Sequence, residues 1–290
     1  MQRRGRYLGN AFGLLAALWL ASPALATSDD YIFVDSFEPS DCSLPLSCTT
    51  PLAGKSCIAG QLTDAGTAQP LRATFNIGLT CGVGAIGGPC DLVLAAYDTL
   101  QYAANPAAST PLASAGTVFD GCGRFRFADL TAPASGAVAI VADDAQGSDG
   151  HTQTATLHAL GANQHFTEVN AVVARTDTVT SWSALGGTDF TLGAVLLSFS
   201  TGGTLTPGVT VIRDGGAAGT VRYFTDTDSQ RLMVSSAATS TGANGSALVA
   251  NAAFGSYSGI GGESNGCQWT NVMATSLPGI ILFAELVCAP

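Results

Sequence analysis

Residues 262–266, GESNG, have the G-x-S-x-G form of a nucleophile elbow, with Ser264 as the hydroxyl that would attack an acyl carbon. An elbow needs an acid and then a histidine later in the chain. No histidine follows His165 and no aspartate follows Asp228, so that order fails. The protease order of His, Asp, Ser could be filled by His158, Asp189 and Ser264. Against it, TATLHAL carries no cysteine after the histidine, and GESNG is not GDSGG. No catalytic residue is therefore expected.

Metal chemistry fares no better. His151, His158 and His165 recur every seven residues. On a strand, that odd spacing sends alternate members to opposite faces, and Gly150 and Gly161 interrupt a helix. The acids Asp143, Asp144 and Asp149 in DDAQGSD, and Asp226 and Asp228 in DTDSQ, lack the D-x-D-x-D-G spacing with a terminal Glu that holds calcium. Neither a metal nor a cofactor is expected. Paired carboxylates of the glycosidase kind would come from distant strands, and nothing in the sequence marks them.

Binding is the remaining chemistry. Sugar faces stack on exposed aromatic rings, and Trp182 in TSWSAL and Trp269 in GCQWTN have polar neighbours. With Tyr257 they are the expected binding residues, for a polysaccharide or a surface protein; Tyr97, Tyr102 and Tyr223 are further aromatics of the same kind. Trp269 lies close to Cys267, and the packing of a Trp on a sandwich disulfide suits it better than exposure. The stretch DGCGRFRFADL alternates Arg124 and Arg126 with Phe125 and Phe127, the period of a half-buried strand with its arginines outward, within reach of acids such as Asp129.

Charge and compartment limit the partners. Three arginines, an apolar run from Ala11 to Leu20, Pro23 and an Ala24-Leu25-Ala26 step read as a signal peptide over residues 1–26. The run is too short to span a bilayer, so no transmembrane segment is expected after cleavage. Loss of Arg3, Arg4 and Arg6 leaves 8 basic residues against 21 acidic ones, a net charge near −13 that repels nucleic acid and anionic lipid. The expected location is extracellular, at the cell surface or in the periplasm. All eight cysteines, Cys42, Cys48, Cys57, Cys81, Cys90, Cys122, Cys267 and Cys288, follow the cut site, and no C-x₂-C pair occurs, which indicates disulfides. Proximity suggests Cys81 with Cys90, Cys42 with Cys48 and Cys267 with Cys288, leaving Cys57 for Cys122.

The elements that would position these residues are strands. ATFNIGLT, DLVLAAYD, GRFRFADL, AVAIVADD, EVNAVVAR, AVLLSFST, GVTVIRDG and TVRYFTD are short, rich in β-branched and aromatic residues, and bounded by Gly, Asp, Asn or Pro. LQYAANPAAS, broken by Pro106, and TVTSWSALGG read as connections. The strand–turn–Pro–strand pattern of residues 60–77 returns at 193–216. The expected fold is all-β: tandem antiparallel sandwiches over residues 51–178 and 179–290, after an N-terminal segment at 27–50.

Gly60, Asp64, Gly66, Pro70 and Leu71, followed by Asp120, Gly123, Phe125, Phe127, Leu130 and Gly136, resemble the two sequence motifs of carboxypeptidase regulatory-like domains, also described as transthyretin-like or Cna-B-like. The likeness covers about residues 51–175 and, more loosely, 190–290. About forty residues with Cys81 and Cys90 separate the motifs, longer than the family usually has. The resemblance implies a seven- or eight-stranded β-sandwich used as an accessory, stalk, adhesion or carbohydrate-binding-like module beside other domains. With the cysteines and the failed catalytic motifs, the expectation is a disulfide-stapled, non-catalytic binding or adhesion module, or alternatively a structural spacer or assembly subunit. Family members that crosslink through an isopeptide bond use a core lysine; Lys55, the single lysine here, precedes the first strand. The segment DDYIFVDSFEPSDC resembles the IF-x-DGFE segment of exported bacterial proteins, with Ser36 in place of Gly.

Overall fold

The computed structural model describes residues 46–48, 52–71, 92–112, 118–119, 122–144, 150–262 and 268–289. The signal peptide, the segment to residue 45, strand ATFNIGLT and Ser264 lie outside them. In chain order the first elements are β1 (Lys55–Asp64), β2 (Leu92–Asp98), α1 (Thr99–Ala104), β3 (Val118–Phe119), β4 (Arg124–Thr131), β5 (Ala137–Asp144), β6 (His151–Thr152), β7 (Thr154–Ala159) and β8 (His165–Arg175). Then come α2 (Thr176–Gly186), β9 (Ala194–Thr201), β10 (Thr204–Leu205), β11 (Val209–Arg213), β12 (Thr220–Phe224), β13 (Val234–Ser235), β14 (Ser246–Ala250), β15 (Gly255–Gly261), β16 (Gln268–Trp269), β17 (Val272–Ala274) and β18 (Ile281–Ala289).

The protein is all-β with packed sheets. Its centre is a ten-stranded sheet that includes the path β13-β12-β14-β9-β18-β7-β5-β2. The C-terminal strand β18 lies between β9 and β7 and runs parallel to both. This sheet therefore takes strands from either side of residue 178 and crosses the expected domain division; all described residues belong to one compact unit, Pro39–Pro290. Strict antiparallel pairing is also relaxed at β1, which runs parallel to β8.

Side-chain alternation shows how the layers meet. In β9, Val195, Leu197 and Phe199 enter one core, while Ala194 and Leu196 enter another. A strand covered on both faces carries apolar residues at nearly every position, and AVLLSFST does. One face of the large sheet is covered by the sheet β11-β15-β17 through Val209, Val211 and Tyr257. The opposite face has two covers. Over β2 and β5 lies the five-stranded sheet β3-β4-β1-β8-β6, packing through Ile58, Phe125, Phe127 and Val169. Over β9, β14 and β18 lies α2, packing through Val179 and Trp182.

Strand β4 follows its alternation: Phe125 and Phe127 are buried with rings 5.7 Å apart. Arg126 donates to the Ser47 carbonyl at 3.4 Å, and Asp129 accepts from the Leu52 amide. Gly60 sits where β1 meets β8, and a Cβ there would run into the Val169 carbonyl, so no larger residue fits that approach.

Three expectations are corrected. TVTSWSALGG is not a connection but lies largely within α2, an eleven-residue helix whose buried positions Val179, Trp182 and Gly186 fall on one stripe, ended by Gly187 at φ 61°. LQYAANPAAS forms α1 and a 3₁₀ turn at Pro106–Ala108, because Asp98 caps the Leu100 and Gln101 amides and Pro106 fits a first helical turn. Cys57 bonds Cys48, not Cys122, which also removes the pairing of Cys48 with Cys42. Cys48 lies against β8, beside the Phe166 carbonyl, and Cys57 is paired across to His165 on that strand, so their Cα atoms come within 5.8 Å. Cys122 and Cys288 are disulfide-bonded; Cys42, Cys81, Cys90 and Cys267 lie outside the described residues.

A buried cation joins elements distant in sequence. Arg231, 5% exposed, donates from Nε to Ser246 Oγ at 2.9 Å and from Nη1 to the Ala65 carbonyl at 3.4 Å. Its amide donates to the Gly66 carbonyl at 2.6 Å, and its carbonyl accepts from Trp182 Nε1 at 2.5 Å. The guanidinium carbon also lies 5.8 Å from the centre of the Phe283 ring. Burial pulls the guanidinium down to about 10, while Glu285 and Asp64 oppose the shift, so it stays charged at neutral pH. Arg231→Ala is expected to lower stability in urea unfolding by roughly 2–4 kcal/mol, from the cavity and the orphaned carbonyl. Arg231→Met, which refills the space without a charge to desolvate, should lose less than half of that; equal losses would contradict this account.

Candidate functional site

The aromatic candidates lie in the interior. Trp182 is 0% exposed and meets Phe224 edge-on at 5.5 Å. Trp269, 8% exposed, meets Phe199 edge-on at 5.2 Å, donates from Nε1 to the Gly261 carbonyl, and is paired across from disulfide-bonded Cys288. Tyr257, also 0% exposed, directs its hydroxyl to the carbonyls of Ala218 and Ala253 at 3.0 and 2.8 Å. Tyr223 is buried, and its hydroxyl accepts from the Val211 amide. As folded, Trp182, Trp269 and Tyr257 present no open ring face to a sugar, because each ring fills a core and each polar tip is bonded to backbone.

The residues considered for catalysis and metal binding stand apart. His158 Nδ1 is bonded to the Ala159 carbonyl at 2.7 Å, where a relay would place an acid. Asp189 instead accepts from the amide and hydroxyl of Thr191. His151, His158 and His165 lie on three different strands, β6, β7 and β8. Asp226 accepts from the Leu232 and Met233 amides and Asp228 from the Gln230 amide, so both shape a turn. Among the described residues no three His, Cys, Asp or Glu side chains gather as metal ligands. Lys55 Nζ donates to Thr131 Oγ1 at 2.7 Å, at the start of β1.

What the sequence does not reveal is a polar row across the large sheet. Register sets Ser246 of β14 opposite Ser198 of β9, and Ser198 opposite Glu285 of β18. Ala284 pairs with Leu157, which brings Glu285 beside His158 of β7. Ser200 Oγ donates to Glu285 Oε1 at 2.7 Å, and Arg231 closes the far end on Ser246. These residues are scattered over more than a hundred positions, so only the strand order assembles them. The carboxylate, not the imidazole, receives the serine proton, and this order does not activate a nucleophile.

No family model and no curated protein matches the chain. Among solved structures it is similar to a double mutant of the shaft pilin SpaA from Lactobacillus rhamnosus GG, at 12% identity over 81% of this chain and 98% of that one, with a TM-score of 0.24. A single mutant of the same pilin gives 12% identity over 82% and 98%, with a TM-score of 0.22. The Bacillus anthracis TIE protein gives 8% identity and a TM-score of 0.22; the alignment covers 81% of this chain and 34% of that one. At these scores no common topology is fixed.

His158 supplies a titration to measure. Burial holds its imidazole below the usual histidine value, offset in part by the Ala159 carbonyl and Glu285. A folded value below the unfolded one means that the unfolded chain takes up the proton first. The contribution to stability is then complete above about pH 6.5 and is lost as pH falls through the folded value. Urea midpoints should fall on acidification from pH 7 to about 5, and His158→Gln should flatten that slope. An unchanged slope in the variant would assign the pH dependence to other groups.

Proposed function

We propose that the chain is an exported, non-catalytic structural module, a spacer or assembly subunit of a surface or secreted protein system. The observation that carries this reading is the use of Trp182, Trp269 and Tyr257 as core, which withdraws the rings that a sugar-binding module would need on its surface. The turn after β1 supports kinship with carboxypeptidase regulatory-like domains in the first half. There Asp64 accepts from the Gly66 and Thr67 amides, and the chain returns at Pro70 and Leu71. The acidic surface and the absence of a helix long and apolar enough to cross a membrane, among the described residues, suit a secreted module.

The test has two arms. The mature protein applied to a glycan array should leave no signal, and generic ester and peptide substrates should turn over at the buffer rate, with Ser264→Ala unchanged. A glycan signal abolished by Trp182→Ala or Trp269→Ala in folded protein would reinstate the sugar-binding reading. Turnover lost in Ser264→Ala would reinstate the hydrolase. Immunogold labelling of producing cells should fall on the envelope or in the medium, and label confined to the cytoplasm would contradict export.

A further inference from the structure

One surface depression combines features that the structural reading leaves unused. Its wall is α1, with Thr99 and Tyr102; its floor includes Leu282 of β18; and its rim carries Leu100, Phe254 and Met273, each about half exposed. Two hydroxyls of the wall, Thr99 Oγ1 and Tyr102 Oη, are buried with no hydrogen-bond partner among the described residues. Tyr102 is only 2% exposed, and its ring stacks at a tilt on Tyr97 at 5.1 Å. A buried hydroxyl left unmade loses its hydration without compensation, and such groups in native proteins are rare. The two residues are three apart on α1, on one face of that helix, and both line the depression.

The position of α1 is not accidental. Asp98 caps its first turn and also accepts from the Ser135 amide, which ties α1 to the loop between β4 and β5. Burial pushes the Asp98 carboxyl up, but the bonds from Gln101, Ser135 and Leu100 outweigh it and hold the group below its ordinary value. Asp143 contributes negative field at Tyr102 and Tyr97, and burial and this field together push both phenols up, so they remain donors. None of the residues lining the depression is charged.

We propose that this depression binds a small neutral molecule with an apolar body and one acceptor oxygen, a ketone, ether or ester, which receives hydrogen bonds from Tyr102 and Thr99. The apolar lining takes the body, Asp143 disfavours anions, and the orphan donors specify the oxygen. The hydroxyls lie beneath the rim, so binding requires the unbranched Met273 and the exposed Leu100 to rotate aside, which side chains of that exposure do readily.

Cyclohexanone and its hydrocarbon isostere methylenecyclohexane, titrated into ¹⁵N-labelled mature protein, provide the test. Cyclohexanone should shift the amides of residues 99–103 and 273–277 and bind about tenfold more tightly than the hydrocarbon, the worth of one or two hydrogen bonds. Tyr102→Phe should erase most of that preference while leaving the melting temperature of the free protein equal or higher, because it removes an unpaired group. Thr99→Val is the independent second removal should Tyr102→Phe not fold, and Met273→Ala should tighten binding. Equal affinity for both probes, or binding of N-acetyl-leucinamide that Tyr102→Phe leaves unchanged, would overturn the proposal in favour of a socket for a partner's apolar side chain. A lowered melting temperature in Tyr102→Phe would mean that the hydroxyl is already satisfied and would also overturn it.

Discussion

The fold depends on where the last strand goes. Strand β18 is laid between β7 and β9, parallel to each, and among the described residues it is the element that joins the first-half strands of the large sheet to the second-half strands. Its alternation feeds two cores at once: Leu282, Ala284 and Leu286 on one face, Ile281 and Phe283 on the other. Each fully buried Leu, Ile or Phe side chain is worth roughly 1.5–3 kcal/mol, so one strand supplies an amount comparable with the net stability of a domain. The pairing is non-local on both sides, which predicts slow folding. Arg231 and Trp182 reinforce the same junction from outside the sheet, through Ala65, Gly66 and Ser246.

That arrangement explains why the aromatic residues are unavailable as ligands. A sheet buried on both faces needs bulky fillers on two sides, and Trp182, Phe224 and Phe190 serve one side as Phe199, Trp269 and Tyr257 serve the other. The polar atoms of these rings are bonded to nearby backbone carbonyls, so the hydrogen bonds that would read a sugar are already made. Among the described residues, the depression at α1 and the row that ends on Glu285 and His158 are the polar features that this use of the aromatics leaves unexplained.

Much of the local structure was legible in the sequence because it rests on short-range rules. Strand β4 follows from period-two alternation, and the turn after β1 from an Asp that caps its own following amides. Helix α2 was hidden by three threonines at its start, poor helix formers, and exists because the core takes Val179 and Trp182 from one stripe. The Cys48–Cys57 bond and the course of β18 were not legible either, since both depend on which strand lies beside which, and register carries no local signature. The same reason hid the Ser246, Ser198, Glu285 and His158 row. The orphan hydroxyls of Thr99 and Tyr102 were three residues apart in plain view, but a segment read as a connection gives them no common face.

Sharing β18 should make the two halves one cooperative body, and native-state hydrogen exchange in low urea measures whether they are. Amides of β5 and β7 and those of β9 and β14 should converge on one opening free energy with one urea dependence. Two separate limiting free energies, one for strands before residue 178 and one for strands after it, would mean two independent sandwiches.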